Sequence, residues 1–325
     1  MPGFTTHYIF GMKAYNDMPF TPLKHTIAKY RWLYQLGLQG PDMFFYSIPI
    51  LRHRDYRNVG SYMHEHKVNA FFECCLRRIG TIRSRQQQEE AISYLAGFIN
   101  HYIADSICHP YVYGRIGYPV DAPTSMHHGM HAHLENELDA ILLWKYKKKK
   151  PSEFNQTATI CLNGQEIQFI SHFLASCINE TYYPITYRNN FQVTPAMVHR
   201  SIWALRFGCR TLSDKNGKKK FGIAQVESIF VNHPVASAKM VTDSVTDYRS
   251  SCNLNHEAWG NPWDPTRVST ASFVDLFHET LDKCSRVYAL LNSAVTDNMP
   301  LDKQDLSPLL AELGNESYHS GLPVE

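Results

Sequence analysis

The chain has 325 residues, 44% hydrophobic and 19% charged, with a formal net charge of +2. This is ordinary globular composition with ample material for a core, and the near-neutral balance gives no reason to expect a nucleic-acid partner. No stretch reaches the ~18 uncharged apolar residues of a membrane-spanning helix.

The start, MPGFTTHYIFGMKAYNDM, lacks the basic segment and apolar run of a signal peptide. The eight Cys form no CxxC. A cytoplasmic protein with reduced, mostly buried thiols is expected.

The first 145 residues read as helices. PLKHTIAKYRWLYQLG has apolar residues near helical spacing and ends at Gly37. Gly40-Pro41 marks a turn. Further helices are predicted from Tyr62 to Ile79 with Gly80 as the stop, from Gln88 to Ile107 ending before Pro110, and from Met126 to Leu143. In TATICLNGQEIQF, Asn163-Gly164 lies between two alternating runs, which predicts a small β-hairpin near 157–169. Helical patterns return at Phe169–Asn179 and at Thr194–Leu212, where Thr194 is suited to cap and Pro195 to open a helix. The basic loop DKNGKKK follows. SSCNLNHEAWGNPWDPT, residues 250–266, reads as an ordered irregular segment. A last long helix runs from Ser269 or Ser272 to Asn292. The final 25 residues are polar and read as a weakly packed tail. The predicted class is all-α: a multi-helix bundle with that one hairpin excursion. It forms a single domain over 1–325, with a helical core to about 145, further helices over about 166–300 and a tail over about 301–325.

His is the compositional outlier, at 17 residues, and two stretches concentrate it with carboxylates. HYIADSICHP holds His101, Asp105 and His109 four apart in an otherwise apolar helix. HHGMHAHLENELD holds His131 and Glu135 at the same spacing, with Asp139 four further. His133 and Glu137 repeat the spacing on another face. Leu134, Leu138, Ile141 and Leu142 flank the first set and mark it as the inward one. Residues at i and i+4 lie one above the other on a helix. A single such pair is also what a hydrogen-bonded helix pair looks like. Two pairs on neighbouring antiparallel helices can close a metal site. Nitrogen and carboxylate donors without thiolate suit zinc in a catalytic role, with manganese or iron as alternatives. The donors outnumber what one tetrahedral ion uses, so two or three ions are expected.

These two stretches, together with MPGFTTHYIFG and GPDMFFY, resemble the zinc-dependent phospholipase C family, best over residues 1 to about 145, with an echo in NHEAWGNPWD. The resemblance implies an all-α fold around three zinc ions. By motif, it implies metal ligands at His7, Asp42, His64, His101, Asp105, His109, His131 and Glu135, with Asp105 bridging two ions and His66 as the competing register for His64. Asp42 is implied as the general base. The family's activity implies a phosphodiester substrate, with phospholipid as one candidate, and a metal-activated hydroxide attacking phosphorus. Secreted members use the amino group of a processed N-terminus as a ligand. No signal peptide is seen here, so that donor is expected to be absent. Met43 stands where secreted members carry an aromatic that helps bind choline, and Phe45 and Tyr46 are then the expected substrate wall. Two other readings accompany the hydrolase: a metal-stabilised binding protein without turnover, and a phosphodiesterase like the single-strand nucleases that share the trinuclear architecture.

Overall fold

The helices expected in the first part of the chain form, with their breaks in different places. The computed structural model describes residues 3–46, 59–182, 192–212, 214, 217–230, 237–243, 245 and 247–325. Helix α1 spans Phe4–Asp17. The periodic run after it divides into α2 (Pro22–Lys29) and α3 (Arg31–Gly37). Thr21 caps α2, accepting from Lys24 N at 3.2 Å, and Tyr30 breaks the run at φ −114°, ψ 41°. A 3₁₀ segment, Gly40–Tyr46, follows. The helix expected from Tyr62 is also two, α4 (Val59–Glu65) and α5 (Val68–Thr81), because Lys67 takes a left-handed conformation at φ 49°.

The central element is α6, Arg85–Arg115, with most of its side chains buried. It does not stop before Pro110. Proline removes one helical hydrogen bond and crowds the preceding turn, but Cys108, His109, Tyr111 and Val112 on both sides are buried, so packing carries the helix through. Helix α7 spans Ser125–Lys147.

The hairpin expected at 157–169 is absent there. Gln156–Thr159 is a 3₁₀ turn, and Gly164 opens α8, Gly164–Tyr182. The reason is local. The Asn163 side chain accepts from Glu166 N at 2.9 Å, and Glu166 accepts from Asn163 N at 2.8 Å. This reciprocal cap starts a helix where Asn-Gly could have turned a hairpin. Helices α9 (Pro195–Leu212), α10 (Lys218–Phe230) and α11 (Tyr248–Ser251) follow. Thr194 caps α9 through Met197 N at 3.2 Å, as expected.

Among the described residues the fold is all-α with one small antiparallel sheet, and that sheet lies inside the segment read as irregular. Strand β1 (Trp259–Asn261) pairs with β2 (Asp264–Ser269), Trp259 opposite Ser269. It leans on α6, where Trp259 meets Tyr111 edge-on at 5.4 Å. The last long helix, α12 (Phe273–Thr296), begins with a Ser272–Asp275 capping box. The polar tail is not weakly packed. It forms α13 (Ser307–Leu313) and then a segment in which Tyr318 is 1% exposed. Among the described residues no helix is long and apolar enough to cross a membrane.

Helix α3 packs on α6 through two glycines. A Cβ on Gly97 would overlap the Tyr34 carbonyl, and one on Gly37 would overlap the Tyr94 carbonyl. This backbone-to-backbone approach seats the loop after α3 against His101. Gly97→Ala is therefore expected to destabilise the fold by about 1–3 kcal/mol, read as a lowered thermal midpoint. An unchanged midpoint would mean that the two helices do not meet as described.

Candidate metal centre

Asp105, on the buried middle of α6, is the centre of the site. Its Oδ2 lies 3.1 Å from His101 Nε2 and 3.7 Å from His64 Nε2. Its Oδ1 lies 3.1 Å from His7 Nε2 and 3.8 Å from His109 Nδ1. Four elements are brought together in this way: α1 gives His7, α4 gives His64, α6 gives the other three residues, and the 3₁₀ segment gives Asp42. Asp42 Oδ1 is 3.2 Å from His64 Nε2 and 3.8 Å from His101 Nε2. Gly40 makes this possible. It sits at φ +46°, and a Cβ there would run into the His101 ring.

The donors fall into two sets. Asp42, His64, His101 and Asp105 each place a donor atom within 4.8 Å of the others, and so do His109, His131 and Glu135. His131 Nε2 lies 2.8 Å from Glu135 Oε1, and His109 Nε2 lies 3.7 Å from it. His7 joins neither set at that spacing; its ring stacks on His101 at 4.0 Å. The His64 register, not His66, reaches the centre: the His66 ring packs on Tyr62 at 4.3 Å.

The tautomers are fixed from outside. His64 Nδ1 donates to Gly60 O at 2.6 Å, His101 Nδ1 to Leu38 O at 3.1 Å, and His109 Nδ1 to Tyr318 O at 2.6 Å. A carbonyl can only accept, so each Nδ1 carries its hydrogen, and in the neutral ring Nε2 presents its lone pair inward. His64 Nε2, His101 Nε2, His109 Nε2, Asp42 Oδ1 and both Asp105 oxygens are buried with no hydrogen-bond partner. An unsatisfied buried polar atom costs about 1–3 kcal/mol, so a cluster of them needs a common partner. A cation between the nitrogens and carboxylates would be such a partner, and this donor set fits zinc.

The electrostatics point the same way. Burial works against ionised Asp105, yet His101 and His7 hold its carboxyl well below the usual range. Burial works against protonated His64, yet Asp105 and Asp42 lift it to about 9. The two carboxylates thus draw a positive charge to the His64 Nε2 position. His131 is lowered by burial, and Glu135 is lowered by His131 against burial.

Phe45 and Tyr46 line a cavity of about 620 Å³ beside the second set, with Tyr113, His131, Trp263 and His319. Phe45 stands 5.4 Å from His64, ring to ring. Asp139, which follows Glu135 by one turn, is not in either set. It caps α1, accepting from Thr5 N at 3.1 Å and Thr6 N at 2.7 Å. Glu137 accepts from the Ser251 hydroxyl. The expected absence of an N-terminal amine donor concerns residues 1–2, outside the described residues.

Sequence reasoning missed the tail. Tyr318 N donates to His64 O at 2.9 Å while Tyr318 O holds His109. His319 stacks on His64 at 4.8 Å and meets the Tyr113 hydroxyl at 3.2 Å through Nδ1. The surplus of His was the one available signal, and it carries no position. Removing residues 314–325 is expected to lower bound zinc per chain, measured by elemental analysis after dialysis. Zinc retained at the full level would separate the tail from the centre.

A family model described as zinc dependent phospholipase C matches residues 6–186, more than half of the chain and further than the motifs alone reach. No curated protein and no solved structure matches.

Proposed function

The chain belongs to the zinc-dependent phospholipase C family, and from that premise we propose that it is a zinc-dependent hydrolase of phosphodiesters, a single phospholipase C-like domain acting in the cytoplasm. The observation that carries the reading is the buried convergence of Asp42, His64, His101 and Asp105, whose donor atoms lie within 4.8 Å of one another, with His109, His131 and Glu135 forming a second such group. We assign His7, Asp42, His64, His101, Asp105, His109, His131 and Glu135 to holding two or three zinc ions. Bound zinc would supply Lewis-acid stabilisation of the phosphate and lower the pKa of a coordinated water.

The chain's own residues do the rest. Asp42 orients the attacking water and accepts its proton. The water oxygen adds to phosphorus in line with the departing group, the P–O bond to that group breaks, its oxygen takes a proton from solvent water, and the products are an alcohol and a phosphomonoester. Phe45 and Tyr46 form a wall for the organic part of the substrate.

Zinc-loaded protein is expected to hydrolyse a p-nitrophenyl phosphodiester. Chelation should abolish this, and Asp42→Asn should lower kcat by roughly 10²–10⁴. Asp105→Asn and His131→Ala should reduce both zinc content and turnover. Undiminished turnover in those two variants would overturn the assignment. Full zinc without turnover would leave the binding-protein reading, and release of nucleotides from single-stranded DNA would favour the nuclease reading.

A further inference from the structure

Helix α9 uses only half of its circumference for the fold. Its inner side, with Val198, Ile202, Leu205 and Cys209 buried, packs on α8 and on the 3₁₀ segment that carries Asp42. Gly208 lies against the Tyr46 ring. Cys209, and Leu212 at the helix end, line the cavity. On the outer side Arg200, Trp203, Phe207 and Arg210 follow at helical spacing, and all four are exposed. Trp203 is 64% and Phe207 49% exposed, and their rings stack at 5.3 Å, nearly parallel.

The helix contains no acidic residue. Residues 192–230 hold seven Lys and Arg against two Asp and Glu, while the whole chain is only +2, so the remainder is net negative. The stretch that carries this helix therefore holds a local excess of positive charge, and Arg200 and Arg210 set part of it on the exposed face. Large aromatics between cations, on a helix whose other side is packed, match the interfacial pattern of proteins that lie on anionic bilayers. A second copy fits less well. An isologous contact across this helix would set Arg200 and Arg210 against the same arginines of its partner.

We propose that the outer face of α9 docks the protein on an anionic phospholipid surface, with Trp203 and Phe207 entering the headgroup layer and Arg200 and Arg210 on lipid phosphates. Docking there would hold the cavity, lined from the inner side of the same helix, beside the bilayer. That purpose rests on the hydrolase reading, whereas the surface itself is tested without turnover.

The full chain is sedimented with vesicles of phosphatidylcholine alone and with phosphatidylserine added. Binding is expected with phosphatidylserine and should weaken as salt rises. Trp203→Ala with Phe207→Ala, and separately Arg200→Glu with Arg210→Glu, should each weaken it by roughly tenfold or more. Hydrolysis of a soluble chromogenic diester should stay unchanged in both. No binding of the unaltered chain, or equal binding by both double variants, would overturn the proposal. So would a dimer of the unaltered chain that Trp203→Ala with Phe207→Ala dissolves, which would give the face to a second copy. Vesicle binding without any diester turnover would uphold docking while the hydrolase reading failed.

Discussion

A buried carboxylate surrounded by imidazoles organises this molecule. Asp105 is 0% exposed at the middle of the central helix, where an ionised group is unstable unless charge and hydrogen-bond donors or a metal answer it. His7, His64, His101 and His109 all approach it within 3.8 Å. They come from three helices, so the requirement of one side chain fixes where α1, α4 and α6 must meet. The central helix is apolar elsewhere because the rest of its surface is core.

The backbone takes as much part in the centre as the side chains do. Three imidazoles are aimed by carbonyls from the end of α3, from α4 and from the segment after α13. Gly37 and Gly97 let α3 close on α6, and Gly40 then lets the chain pass over the His101 ring. These are positions where a methyl group is too large, so the precision of the centre depends on missing atoms as well as on ligands.

Much of the fold was legible because its signals were local and periodic. The four-residue spacing of His101, Asp105 and His109, and of His131 and Glu135, needed only the geometry of a helix, and both sets do face inward. Thr194-Pro195 opened its helix as the pair suggests. The misreadings have physical causes. Asn163-Gly164 suits a hairpin or a helix cap, and Glu166 decided for the cap. Pro110 would end a solvated helix, but buried neighbours on both sides carry this one through. The β pairing at Trp259 has strands too short to show alternation. Tyr318 and His319 had no pattern at all, since what places them is a contact with α4 and α6 across most of the chain.

That long-range contact gives the centre an order of assembly. The donors from His7 to Glu135 leave the ribosome early, and helices of this kind can form as they emerge. The carbonyl that orients His109 belongs to a residue 209 positions later. Until Tyr318 is made and folded back, His109 lacks the carbonyl that fixes which ring nitrogen faces the site. The second donor set therefore matures only after translation has passed residue 318, and a nascent chain can hold its first set of donors in place while the second is still unformed.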